Sequence, residues 1–421
     1  MTSFSVRSFG CRVNQAEAFG WVEELRKGGL RLEEAPGRSN YLLVNSCTLT
    51  GRADRDVRRF VRRAARENPH ARIVVTGCFS GGAADELRRM PGVWLVVPNG
   101  GKHGLAARVI EAAGERKGGA TEAALTDPTP FRARAFLKVQ DGCDFHCAYC
   151  VIPAVRGKGA SVAGDEVVGR AKELVADGYR EIVLAGIHLS SYGRDLEPPS
   201  SLRGLLERLE AVEGLGRVRL SSLDPRFCDE RLAAHMAASP RIAPHFHLSL
   251  QSGSERTLRA MGRASRPESY MDILADLRRR APDAALGADI IVGFPGETDE
   301  DFEATRGFLE RSPLTYFHVF PFSPREGTPA AAMEPVDAAV KAERADILRE
   351  LSRAKDLAFR AGSVGRELEA VVITRKGRGA EVLTGNNISV AVPDCRVPRR
   401  EFVKVRIAEA VANSTFGVVA M

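Results

Sequence analysis

The chain has 421 residues, 44% hydrophobic and 27% charged; at roughly 150 residues per domain this predicts two or three domains with real cores and excludes a mostly disordered protein. Apolar runs such as 73–76 and 94–97 are strand-sized, far below the ~18 residues of a membrane span, and no basic stretch leads into an apolar one at the start, so a cytoplasmic protein without a membrane partner is expected. The net charge of +7 permits an acidic partner such as RNA without requiring one.

In residues 1–113, β-branched runs at 4–9, 41–45, 72–76 and 94–97 alternate with amphipathic helical patterns at 15–27, 54–67, 83–90 and 105–112. That alternation predicts a parallel sheet covered by helices, an α/β domain. Residues 114–130, rich in Gly, Thr and Pro, have the composition of a linker. From 131 to 362 the alternation restarts in longer units, with strands at 135–140, 181–185, 217–221, 245–250, 288–292 and 316–320 and a long helix over 336–360. Six such units suggest a partial (β/α)6 barrel, although an open doubly wound sheet has the same periodicity. Residues 363–421 change to short β runs at 368–374, 388–392 and 402–407 broken by Gly, Pro and Asn, the texture of a small β-barrel.

The eight cysteines carry the chemical argument. Cys143, Cys147 and Cys150 form a C-x3-C-x2-C cluster just after the first barrel strand. Three thiolates there can hold three irons of a 4Fe-4S cluster and leave the fourth open to a small molecule that brings nitrogen and oxygen donors. Zinc held by the same cysteines with His146 is the competing reading, but the paired C-x2-C knuckles of ordinary zinc modules are missing. Cys11, Cys47 and Cys78 each follow one of the first three predicted strands. In a parallel sheet those strand ends share an edge, so three cysteines distant in sequence converge on a second three-thiolate site. Singly, each would be an ordinary packed thiol, the reading kept for Cys228 and Cys395.

These six positions resemble the radical S-adenosylmethionine (SAM) methylthiotransferases, in which an N-terminal α/β domain, a radical SAM barrel and a C-terminal RNA-binding TRAM domain follow in this order. Phe9-Gly-Cys11-Arg-Val-Asn14-Gln15-Ala-Glu17, Gly186-Ile-His188-Leu-Ser-Ser-Tyr192-Gly193, His247-Leu-Ser249-Leu-Gln251-Ser-Gly253 and the segment His318 to Thr328 are similar to the members acting on threonylcarbamoyladenosine of tRNA. Sister members act on isopentenyladenosine or on a ribosomal protein. The tail is the weaker match, carried by Phe402-Val-Lys-Val-Arg406-Ile and Thr415-Phe-Gly-Val-Val. A non-catalytic zinc and RNA-binding protein is the alternative from another class.

The resemblance implies two 4Fe-4S clusters, SAM as cofactor and co-substrate, tRNA as substrate, an electron donor such as flavodoxin or ferredoxin, and a sulfur source. It implies that Tyr149 packs near the SAM adenine, that Gly186 and His188 meet the methionine amino group, that Ser249, Gln251 and Arg263 serve the ribose and carboxylate side, and that Gly287, Ile291 and Gly293 form the adenine wall. The alternative is that the glycines permit turns and the polar residues are satisfied at the barrel mouth. Arg55, Arg59 and Arg62, with Arg52 and Arg66, recur at three- and four-residue steps and make one helix face basic, fit for RNA or simply solvated, with Asp54 and Asp56 as partial neutralisers. Arg325 is a candidate donor for a substrate carboxylate or a member of a structural ion pair. The Gly293-Phe-Pro-Gly296 segment lacks the Lys-Ser/Thr ending of a phosphate loop and reads as a helix start capped by Thr298.

Overall fold

The structure, a computed structural model, describes residues 2–114 and 132–420. The expected linker lies outside these residues apart from Gly114, the last residue of a helix.

The first domain runs β1 (Ser3–Ser8), α1 (Arg12–Lys27), β2 (Arg31–Leu32), β3 (Tyr41–Ser46), α2 (Gly51–Glu67), β4 (Arg72–Gly77), α3 (Cys78–Gly82), α4 (Ala84–Arg88), β5 (Val93–Val97) and α5 (Leu105–Gly114). Its sheet has order β2-β1-β3-β4-β5 with every pair parallel. β3 is buried along its whole length, as a central strand covered on both faces must be. Edge strand β2, two residues long, was not anticipated; runs this short carry no periodicity.

The second domain comprises β6 (Ala135–Asp141), α6 (Ile152–Arg156), β7 (Ala160–Ser161), α7 (Gly164–Ala176), β8 (Glu181–Gly186), α8 (Leu202–Glu210), β9 (Arg217–Leu220), α9 (Glu230–Ala238), β10 (His245–His247), α10 (Glu255–Ala260), α11 (Pro267–Arg280), β11 (Ala285–Val292), α12 (Asp299–Arg311), β12 (Tyr316–Pro321) and α13 (Ala338–Ala361). The six anticipated strands, joined by the unanticipated two-residue β7, form two sheets, β7-β6-β8-β9 and β10-β11-β12, which parallel bridges Val218–Ile242 and Leu223–Leu248 join into one curved wall. Among the described residues β6 and β12 do not pair, so the barrel is open on that side. β10 is shorter than expected: beyond His247 the chain keeps only isolated bridges, Leu248 to Leu223 and Gln251, at φ 79°, to Ile290. Thr298 caps α12 through a capping box with Asp301.

Helix α1 ties the two domains together. Ala18, Trp21, Val22 and Leu25 pack within the first domain, whereas Val13, Ala16 and Phe19 enter the barrel core beside Ala135, Phe136 and Val139. Burying a side chain the size of Phe19 favours this docking by about 1.5 to 3 kcal/mol.

The tail closes into a five-stranded barrel of order β13-β14-β15-β17-β16, formed by β13 (Glu367–Lys376), β14 (Gly379–Thr384), β15 (Ser389–Val392), β16 (Phe402–Val411) and β17 (Ser414–Val419). It sits under the N-terminal ends of the partial-barrel strands. Arg217 pairs with Glu369 at 2.6 Å, Arg219 donates to the carbonyls of Thr384 and Gly385 at 3.0 Å each, and Arg400 donates to the Asp177 carbonyl at 2.6 Å. The cysteine loops leave the opposite ends of the strands. Among the described residues, no helix is long and apolar enough to cross a membrane.

Candidate active site

Cys11, Cys47 and Cys78 follow the C-terminal ends of β1, β3 and β4 and lie close enough for each thiol to feel the charge of the others. The approach is tight. Gly10 takes φ +84°, and a Cβ there would meet the Cys47 sulfur at 2.5 Å; Gly77 takes φ +101°, and a Cβ there would meet the Ser46 carbonyl oxygen at 2.2 Å. Only glycine fits before these cysteines. Burial pushes the Cys47 thiol up to about 12, only partly offset by the Leu49 N–H donating to its sulfur, and also raises Cys11.

Cys143, Cys147 and Cys150 lie in the loop between β6 and α6, each partly exposed. The Cys143 N–H donates to the Gly157 carbonyl at 3.1 Å and the Ala148 N–H to the Met261 carbonyl at 2.9 Å, which pins the loop at both ends. Burial pushes Cys150 up to about 11, with further raising by Cys147 and Cys143. Both triads offer three soft thiol donors around one point, so the residues present fit two three-thiolate clusters. Among the described residues His146, the fourth ligand of the zinc reading, does not form with these thiols a group whose ligand atoms all lie within 4.8 Å of one another.

Arg156, at the end of α6, links the two triads. Its side chain is 2% exposed; Nε donates to Cys78 Sγ at 3.2 Å, Nη1 to Asp141 at 2.7 Å and Glu17 at 3.1 Å, and Nη2 to Asn14 Oδ1 at 2.5 Å. Glu17 also pairs with Lys102 at 2.6 Å and accepts from Asn45. Burial alone would raise the Glu17 carboxyl, but Lys102, Arg156 and Lys138 outweigh it and hold it at about 2. One buried network therefore spans the residues around Cys11 and Cys78 and the start of the Cys143 loop.

Of the residues expected at the SAM side, His188 and Arg263 converge on Asp224, at 3.4 and 3.2 Å. Arg263 also donates to the Ser249 carbonyl at 3.0 Å and hydrogen-bonds Tyr149. The Ser249 hydroxyl faces Asp289 at 3.4 Å, and Gly186 closes β8 beside Ser221. Gln251 and Ile291 line a cleft of about 220 Å³ with Tyr149, Cys150, Phe320 and, from the loop after Cys47, Leu49. Two expected members lie elsewhere. Gly287 sits lower in the barrel against Tyr316 and His247, and Gly293 turns against the stem of Lys341 on α13, because β11 has ended and the chain is bending into α12.

Arg55, Arg59 and Arg62 are exposed along α2, with no ion pair to any of them among the described residues. Asp54 does not neutralise this ridge as expected, because it points inward, accepting from Thr48 at 2.8 Å and from Arg325 at 2.7 Å. Arg325 makes the ion pair with Asp54 at the cleft rim, while its Nε has no hydrogen-bond partner among the described residues; beside it the Gly51 N–H donates to Ser323 Oγ. Sequence reasoning missed Arg156 and Asp224 entirely. The only local signals were an arginine six residues after Cys150 and an Asp-Pro step after β9.

Comparison with known proteins agrees with this architecture. Residues 137–309 match the Radical SAM superfamily and residues 3–97 match an uncharacterized protein family, UPF0004. The threonylcarbamoyladenosine tRNA methylthiotransferase MtaB of Thermotoga maritima is 35% identical over 87% of this chain and 86% of its own length, and that of Aquifex aeolicus 36% identical over 91% and 95%. The tRNA-2-methylthio-N(6)-dimethylallyladenosine synthase of Moorella thermoacetica is 32% identical over 97% and 96%. Among solved structures, the radical S-adenosylmethionine methyltransferase TsrM of Kitasatospora setae shares the fold, with TM-score 0.53 and 15% identity over 79% of this chain and 77% of that one. Two thiol triads at strand ends, with Cys150 and the loop after Cys47 lining one cleft, accompany a likeness over most of the chain to these enzymes, and the chain belongs to the radical SAM methylthiotransferase family.

Proposed function

We propose that the protein adds a methylthio group to carbon 2 of N6-threonylcarbamoyladenosine at position 37 of tRNA, next to the anticodon. The observation that carries this reading is the cleft between the triads, with Cys150 on one wall and the loop after Cys47 on the other. When bound, the cluster at Cys143, Cys147 and Cys150 supplies the electron that cleaves SAM, and the one at Cys11, Cys47 and Cys78 holds the sulfur to be methylated and inserted; the unactivated C–H bond needs such cofactor chemistry.

The chain's own groups do the rest. Tyr149, Gly186, His188, Ser249, Gln251 and Arg263 hold SAM, and Asp224 fixes the orientation of His188 and Arg263. Ile291 and Phe320 give apolar walls that keep water from the reacting carbon. Arg55, Arg59 and Arg62 neutralise phosphates, so binding weakens with salt. The tail barrel, docked at the far end of the partial barrel, takes a more distant part of the tRNA. A low-potential electron carrier such as flavodoxin or ferredoxin and a sulfur source complete the cycle, in the cytoplasm where tRNA is processed. Reconstituted enzyme, SAM and reductant are tested side by side on tRNA carrying threonylcarbamoyladenosine and tRNA carrying isopentenyladenosine, with nucleosides read by mass spectrometry. Product on the first is expected; preference for the second, or product only on a ribosomal protein, overturns the substrate assignment.

A further inference from the structure

The lumen below the cleft contains polar groups that the chemistry above leaves unused. Alternate residues of β12 point inward, so Tyr316, His318 and Phe320 form a column with ring centroids 5.4 Å and 6.4 Å apart, and both His318 and Phe320 are exposed. Phe320 and Asp289 line the cleft, and His318, next to Phe320 on this face of β12, lines a separate cavity of about 470 Å³ with residues of α13 and the tail barrel. Facing His318 are His247 on β10 and Asp289 on β11, the three offering ligand atoms within 4.8 Å of one another. The His247 side chain is 8% exposed, and its only partners among the described residues are poorly placed, the Ala288 backbone and Asp289, 3.5 Å from Nε2. Burial, with Arg12 nearby, holds His247 at about 4, so at neutral pH it is an uncharged group with unused hydrogen-bonding capacity.

Arg12 completes the lining. It is the first residue of α1, next to Cys11, and α1 packs against β6 and β8. Its guanidinium is within electrostatic range of Arg219, Tyr316, Glu181, His247 and His318. Among the described residues no hydrogen bond or carboxylate ion pair engages it, and the nearby charges Arg219 and Glu181 are paired with each other at 2.8 Å. A half-buried guanidinium without a carboxylate partner, near a buried histidine whose partners are poorly placed, is suited to a ligand that brings an anion and hydrogen-bonding groups.

Resting on the function proposed above, we infer that Arg12, His247 and His318 form the receptor for the anionic, amide-bearing N6 substituent of the substrate base: Arg12 takes the carboxylate, the histidines take the hydroxyl and amide groups, and Phe320 stacks on the base. Arg12 is then a specificity-determining residue delivered by the same loop that carries Cys11, so the sulfur-delivering domain also reads the substrate.

The test uses cluster-loaded full-length enzyme and two anticodon stem-loop RNAs, one with threonylcarbamoyladenosine and one in which its carboxylate is a primary amide. The parent enzyme should show a KM about 10- to 100-fold lower on the acid RNA, the worth of one charge-assisted hydrogen bond. Arg12→Gln, with iron content matching the parent, should raise KM on the acid RNA by a similar factor and lose discrimination between acid and amide; a purely structural role would not erase that ratio. His318→Asn, away from the cysteines, should raise KM on both RNAs alike. Arg12→Gln retaining the parental acid-to-amide ratio overturns the inference while leaving the function intact, and so does stoichiometric zinc in the parent that His318→Asn abolishes, since the triad would then be a metal site. A parent inactive on the acid RNA overturns both readings.

Discussion

Replacing Arg156 by Met tests whether one buried ion network holds the two domains in working register. The substitution keeps the stem and removes the guanidinium that contacts Cys78, Asn14, Glu17 and Asp141. Removing one partner of a buried pair costs about 3 to 5 kcal/mol; because Glu17 retains Lys102 at 2.6 Å and Asp141 retains Lys138 at 3.0 Å, the lower end, about 3 kcal/mol, is expected. Linkage gives a comparable scale. Glu17 is held at about 2 against an ordinary 4.5, which corresponds to about 3 kcal/mol of stability, fully present above pH 4.5 and lost as pH falls through about 2. Both tryptophans, Trp21 and Trp94, lie in the first domain, so urea unfolding followed by their fluorescence reports that domain. Arg156→Met should lower the unfolding free energy at pH 7 by about 3 kcal/mol, and Glu17→Gln should cost less in that background than in the parent. A loss below about 1 kcal/mol, or equal costs of Glu17→Gln in both backgrounds, refutes the network as a domain lock.

The triads should separate functionally. Cys150→Ala is expected to abolish reductive SAM cleavage while the first-domain cluster still loads, and Cys47→Ala to form 5′-deoxyadenosine without methylthiolated product; iron analysis and chromatography of the products check both. Cluster loading should become more favourable from pH 6.5 to 9, because burial holds Cys47 near 12 and Cys150 near 11, so each thiol gives up a proton when it becomes a ligand; a flat pH profile of iron uptake would contradict this.

The sequence by itself determined the features that local spacing or strand position encodes. C-x3-C-x2-C is a complete ligand set within eight residues, and Cys11, Cys47 and Cys78 become a set once each is seen to end a parallel strand, because parallel strands share their ligand-binding edge. The six barrel strands were legible for the same reason, as long apolar runs at regular intervals, whereas β2, β7 and β14 were too short or too glycine-bounded to show a period. Only the tertiary structure decided how the side chains pair. Asp54 and Arg325 are 271 positions apart and neutralise each other at the cleft rim, which a helical projection of α2 could not reveal. Arg156 meets Cys78 across 78 positions, and Arg12 comes within electrostatic range of His247 and His318 because α1 packs against β6 and β8. Such pairings depend on distances between elements that are fixed by packing of the whole chain, and the burial that leaves His247 with only poorly placed partners exists only once that packing is complete.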